Sequence, residues 1–138
     1  MADAVTSQTL LDGERLAIMK FTNVSDGGGE SAVLKVDVST LAPSAAGGAC
    51  NGVTINKIHA ATAGMAVNIL WDADTDVPAF IVPTDAAYSF DFSQQGGLTN
   101  NAGDGKTGDV LFTTIGAAAG DTYTIELEMV KSYVNPRG

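Results

Sequence analysis

Apolar residues along most of this chain recur at every second position, the spacing that turns one face of a β-strand into a core and the other toward water. The clearest run covers 122–131, where Tyr123, Ile125, Leu127 and Met129 alternate with Thr124, Glu126 and Glu128. Residues 32–38 predict a second strand, with Leu34, Val36 and Val38 inward and Lys35 and Asp37 outward. Residues 65–72 predict a third, with Met65, Val67, Ile69 and Trp71 on one side and Asn68 and Asp72 on the other. Five further segments read as strands. Residues 14–23 carry apolar side chains on both faces, as expected near a sheet centre or a contact surface. Residues 53–61 place Val53, Ile55 and Ala61 on one face together with Lys57 and His59. Residues 77–82 are apolar and bracketed by Pro78 and Pro83, which assigns them to an edge. Residues 87–92 alternate Tyr88, Phe90 and Phe92 with Ser89 and Asp91, and 109–115 lead out of a glycine-rich loop.

The intervening stretches 25–29, 43–52, 73–76, 94–106 and 116–121 each hold Gly, Asn, Asp or Pro, the residues that supply positive φ or a fixed turn. No 12-residue window has helical periodicity. The alanine-rich 42–49 is interrupted by Pro43, Gly47 and Gly48. About eight short strands with turn punctuation predict an all-β antiparallel sandwich, jelly-roll-like, with an immunoglobulin-like sandwich as the alternative. One domain is expected over 1–138. The weak pattern at its two ends predicts a flexible N-terminal arm over 1–12 and a C-terminal tail over 132–138. No repeat of 20–50 residues argues for a solenoid or propeller.

Composition narrows the partners. Charged residues are 17% of the 138 and hydrophobic ones 45%, a combination unlike that of disordered chains. The 16 acidic and 7 basic residues give a net charge of −9. Nucleic-acid backbones and anionic membranes both need a cationic face, so neither is an expected partner. The start of the chain has neither the basic region nor the apolar run of a secretory signal, and no stretch reaches the ~20 apolar residues of a membrane span. The expectation is a soluble chain made in a cytoplasm. Cys50 is the single cysteine, which excludes an intrachain disulfide and zinc sites built on cysteine pairs.

Each chemical motif meets an ordinary alternative. Residues 100–107 end like a phosphate-binding loop, but Asn100 stands where the first glycine belongs and a strand follows where a helix is needed. Asp72, Asp74 and Asp76 are spaced like the start of a calcium loop. Val77 and Pro78 then break the helical version, leaving an acidic hairpin turn or a non-helical calcium site. His59, the single histidine, is the one residue a Ser-His-Asp arrangement could use, and it has no nucleophile elbow near it. Cys50 sits in a glycine-rich segment with no spacing that pairs it to His59. Sixteen acids single out no glycosidase pair. The aromatics, 7% of the chain, are placed in the core except Tyr88 and Tyr133, which is thin support for a sugar platform. No catalytic, cofactor-binding or metal-binding residue is assigned, and no enzyme is expected. A surface so poor in charge must be built largely from Ala, Gly, Ser, Thr, Asn and Gln, as suits a subunit buried in a permanent assembly.

Several stretches share their phrasing with one family. They are Lys20-Phe21-Thr22-Asn23, Leu34-Lys35-Val36-Asp37-Val38, Asn68-Ile69-Leu70-Trp71-Asp72, Gly108-Asp109-Val110-Leu111-Phe112 and Asp121-Thr122-Tyr123-Thr124-Ile125. Over roughly residues 13–131 the chain resembles small virion structural proteins of tailed bacteriophages, of the kind that cement or decorate the capsid. The resemblance implies an all-β domain seated on the major capsid protein lattice at the virion surface. It also implies a homo-oligomer, trimer or dimer, contacts with neighbouring copies, and binding that follows head expansion. It transfers no site residue. The sequence pattern itself suggests partner contacts at Val5, Leu10 and Leu11, which have no place in the alternation and could add a strand to a neighbour's sheet. It suggests others at Leu98, Asn100 and Asn101, in a polar glycine-rich loop expected to be mobile alone. A tail- or fibre-associated protein and a carbohydrate- or calcium-binding sandwich remain as alternatives.

Overall fold

The computed structural model describes residues 4–43, 45 and 47–133. Its strands are β1 (Ala4–Asp12), β2 (Leu16–Val24), β3 (Val33–Val36), β4 (Cys50–Ala63), β5 (Ala66–Trp71), β6 (Val77–Val82), β7 (Ala87–Asp91), β8 (Val110–Ile115) and β9 (Thr122–Tyr133). Among the described residues the only helical segments are single turns at Val38–Thr40 and Ser93–Gln95. Two antiparallel sheets form, ordered β1-β2-β9-β4-β7 and β3-β8-β5-β6. The pairing is nested: β2 with β9, β3 with β8, β4 with β7, β5 with β6. A long hairpin rolled up on itself gives this order, which is the jelly roll rather than the immunoglobulin-like alternative.

The inner faces of the two sheets make one core. Phe21, Ile55, Ile58, Ile125, Leu127 and Met129 come from the five-stranded sheet, and Val67, Ile69, Trp71 and Phe112 from the four-stranded one. Phe112 meets Phe21 and Tyr123 edge to face, at centroid distances of 5.3 and 5.7 Å. The turn from β4 to β5 is tight. Gly64 has φ +83°, and a Cβ there would run into the Asp121 carboxylate, so the position requires glycine.

The expected alternation holds along β5 and β9, and β2 alternates in the same way between two neighbours. Elsewhere bulges change it. In β4, Ile55 faces Met129 but Lys57 faces Glu128, so Asn56 is an extra residue and the phase flips. Ile58 and Ala60 therefore join the core, while Lys57, His59 and Ala61 share the outer face without Val53 and Ile55. In β3 a bulge between Leu34 and Val36 sends Leu34 outward and turns the Lys35 side chain in, reversing their expected sides.

The expected N-terminal arm is corrected too. Residues 4–12 form β1, paired with β2 of the same chain, and residues 1–3 lie outside the described residues. The period-2 signal was absent because the four-stranded sheet does not extend under β1, which leaves residues 5–11 exposed on both faces. Of the expected tail, Ser132 and Tyr133 end β9, and 134–138 lie outside the described residues.

Candidate functional site

The outer face of the five-stranded sheet is a charged ladder. Lys20 on β2 faces Glu126 on β9, Glu126 faces His59 on β4, and His59 faces Ser89 on β7. One row further along stand Glu128, Lys57 and Asp91. A shallow depression of about 320 Å³ opens over the first row, lined by Lys20, His59, Ala61, Tyr88, Ser89 and Glu126. Here the fold brings together what the sequence scattered: a hydroxyl, an imidazole and a carboxylate from three strands. His59 Nδ1 lies 2.7 Å from Ser89 Oγ. That is the ring's one hydrogen bond among the described residues. The nucleophilic geometry needs the opposite ring nitrogen held by a carboxylate and backbone donors aimed at an oxyanion. The row's polar groups are exposed or half-buried. The ion pair of the next row, Lys57 to Glu128 at 3.9 Å, is long and only partly buried, and therefore weak.

The outer face of the four-stranded sheet has the opposite character. Ladder register puts Leu34 opposite Leu111, Leu111 opposite Leu70, and Leu70 opposite Pro78. The next row is Thr113, Asn68 and Ile81, and beyond it stand Ile115 and Ala66. None of these nine side chains is ionisable. Leu34, Ile81 and Ile115 are 47%, 53% and 50% exposed. Leu111 is nearly covered yet stands apart from the core cluster, as its outward direction requires. In the middle of this face the Asn68 Oδ1 atom is buried with no hydrogen-bond partner.

Asp72, Asp76 and Asp109 stand in loops at one end of the sandwich. Asp72 Oδ2 accepts from the Thr107 hydroxyl at 2.8 Å, and Asp76 Oδ1 accepts from the Ala73 N–H at 3.1 Å. Asp76 caps its own loop and Asp72 ties that loop to the one before β8, and no group of three or more His, Cys, Asp or Glu converges among the described residues. Asp109 Oδ1 accepts from the Val38 N–H at 2.9 Å. Burial pushes the Asp109 pKa up, as do the nearby charges of Asp37 and Asp72, and the Val38 bond only partly opposes them. Cys50 is buried at the start of β4, nine positions and therefore about 30 Å from His59, so the two cannot act together.

The loop expected to be mobile is stitched down. Leu98 exchanges both backbone hydrogen bonds with Ile55, at 2.7 and 3.0 Å, and packs half-buried against the core. That pairing ties Leu98 to β4 of its own chain. Asn100 Oδ1 accepts from the Ala102 N–H and lines a polar depression of about 530 Å³ with Asn51, Thr54 and Lys106. Asn101 is exposed. Gly108 lies against the Asn51 carbonyl at φ +89°, leaving no room for a Cβ. Val5, Leu10 and Leu11 are exposed on β1.

Two buried cations fasten the ends of the fold. The Lys131 side chain is 0% exposed and donates to Asp12 Oδ1 at 2.6 Å, to the Ala42 carbonyl at 2.8 Å and to the Gly13 carbonyl at 2.9 Å. Burial alone would raise the Asp12 pKa. The Lys131 bond, the Ala42 N–H and the Lys131 charge outweigh it and hold Asp12 below the usual carboxylate range. Lys35 and the Tyr123 hydroxyl each donate to Glu30 at 2.6 Å, and the Glu30 backbone N–H donates to Thr114 Oγ1 at 2.8 Å. These bonds pin the β2–β3 loop over the core.

No protein-family model matches the chain, and no curated protein does. Among solved structures it is similar to a cupin superfamily protein from Desulfitobacterium hafniense, at 14% identity and a TM-score of 0.28, over 98% of this chain and 82% of that one. A likeness of that size carries no argument. The fold assignment rests on the hydrogen-bonded ladders.

Proposed function

We propose that the chain is a non-enzymatic structural subunit that docks through the outer face of β3-β8-β5-β6 onto a protein lattice. The setting is the one its sequence resemblance implies, the major capsid protein of an expanded phage head. The carrying observation is the nine-residue outward face without an ionisable group in a chain of net charge −9. Soluble monomers rarely leave wide apolar patches open, and charge is depleted at the centres of interfaces.

Magnitudes fit a subunit that works in numbers. Four strands about 4.8 Å apart and about 20 Å long present a projected face of roughly 400 Å². If all of that surface were apolar and open, covering it at about 25 cal/mol/Å² would contribute roughly 10 kcal/mol, an upper bound because Asn68 and Thr113 are polar and Leu111 is already covered, before association costs of about 4–15 kcal/mol. Single docking events are therefore modest, and many copies on one shell add up through effective concentration. A subunit that binds only the expanded shell stabilises it by mass action, by about 2.7 kcal/mol per site at a hundred times Kd.

The test is co-sedimentation of the purified protein with unexpanded and expanded heads of a tailed phage that encodes it. Saturable binding to expanded heads, with a rise in their melting temperature, is expected. The double variant Leu34→Asp/Ile81→Asp keeps its own melting temperature and loses binding about 100-fold, because two unpaired charges would have to be buried. Absence of binding by the natural protein, or equal binding by the variant, removes the proposal.

A further inference from the structure

The two sheets end in four edges, and three are protected against strand addition. β3 has four residues and a bulge. β7 has five residues and carries Asp91. β6 carries Pro78 and a register break between Ile69 and Leu70 of its partner strand. Short edges, prolines, charges and bulges are the devices by which folded chains avoid edge-to-edge pairing. β1 differs: it has nine residues, no proline and no basic residue. Its one charge, Asp12, is at the end and already engaged by Lys131. Its bulge, at Leu10, leaves 4–9 in unbroken register with β2. Both faces of β1 are bare, with Val5, Leu10 and Leu11 exposed.

We propose that β1 is an interface strand, pairing antiparallel with β1 of a second copy about a twofold axis to join two five-stranded sheets into one. The occupant follows from two features. An antiparallel edge presents the same alternation of donors and acceptors read from either end, so under a twofold axis it is complementary to itself. Charge selects the place: copies carrying −9 each repel, and residues 4–11 form a neutral edge along which their backbones can meet. Overhang strengthens the case, because the second copy would cover Val5 and Leu10, which no strand of the opposite sheet reaches. A strip this narrow falls below the area of standard interfaces, so the dimer is reversible and in the micromolar range. The inference is independent of what the apolar face of the other sheet docks on.

Sedimentation velocity of the full chain over about 5–300 µM reads it directly. The expected result is a concentration-dependent shift from 14.1 kDa toward twice that mass. Ser7 and Gln8 are exposed on opposite faces of β1 near the middle of the regular run. Ser7→Lys/Gln8→Lys places like charges against each other across the axis and weakens the dimer at least about tenfold. The same change lowers the overall negative charge, so general repulsion cannot explain the loss. Circular dichroism confirms that the variant is folded. Hydrogen exchange supplies a second readout: amides in 4–9 become slower at high concentration in the natural chain and do not in the variant. A natural chain that stays at 14.1 kDa across the range overturns the proposal. So does a dimer that the two lysines leave intact.

Discussion

The two outer faces of this sandwich are made from the same kind of alternating strand and have opposite chemistry. On the five-stranded sheet, Lys20, Glu126, His59, Lys57, Glu128 and Asp91 stand in neighbouring rows. On the four-stranded sheet, the corresponding outward positions are Leu, Ile, Thr, Ala, Pro and Asn, without one ionisable group. The core needs neither arrangement, since both sheets supply equally apolar inner faces. The difference therefore lies in what each sheet offers outward: ionisable groups on one, and on the other the uncharged face proposed above to dock on a protein lattice. Among the described residues, the buried cations are paired, Lys131 with Asp12 and Lys35 with Glu30.

That contrast can be broken from several sides, beginning with the buried rim. Lys131→Met strips Asp12 and two carbonyls of their donor at once, and should cost about 3 kcal/mol in urea unfolding at neutral pH. The stabilisation by the ionised Asp12 is present above the unfolded-state carboxylate pKa of about 3.9 and lost as pH falls through the lower folded value, so the deficit should narrow in acid. A deficit that is constant down to pH 2 would show that the ion pair is not what the variant removed.

On the uncharged face, Asn68→Leu removes a buried acceptor that has no partner and extends the apolar surface. It should raise unfolding free energy by about 1 kcal/mol. A loss of stability would mean that the amide is satisfied by something the face holds in solution. On the charged face, Lys57→Ala should change stability by no more than about 0.5 kcal/mol, and 0.5 M salt should erase even that. A larger effect would bring the two faces closer in kind than their composition suggests.

Asp109→Asn tests the acidic loop end. Asn keeps an oxygen for the Val38 N–H while removing the charge that burial disfavours and that Asp37 and Asp72 oppose. The natural Asp109 has a raised folded pKa, so its penalty exists above that value and vanishes as pH falls below the unfolded pKa. The variant should melt higher at pH 7 and identically at pH 3. Equal melting at both would show that the Asp109 charge costs the fold nothing.

Much of the sandwich was legible because period-2 alternation is a local property. Val67, Ile69 and Trp71, or Tyr123 through Met129, need only their own spacing to define an inner face, and Pro78 announces an edge by the donor it lacks. Leu34 and Lys35 were read on the wrong sides, and Lys57 and His59 were grouped with Val53, because a bulge inserts one residue without leaving a mark in composition. β1 was read as an arm because nothing covers either of its faces, so no alternation was required of it.

By itself, then, the sequence determined an all-β antiparallel sandwich, the inward faces of its best strands, and a surface unusually poor in charge. Tertiary structure decided which outward residues share a face. Register sets Lys20 beside Glu126 and His59 beside Ser89, and lines Leu34, Leu111, Leu70 and Pro78 into one row from four strands. Those residues lie up to 106 positions apart in the chain. Hydrogen-bonded ladders between distant segments make them neighbours, and one residue more or less in any ladder would send half of them to the other side.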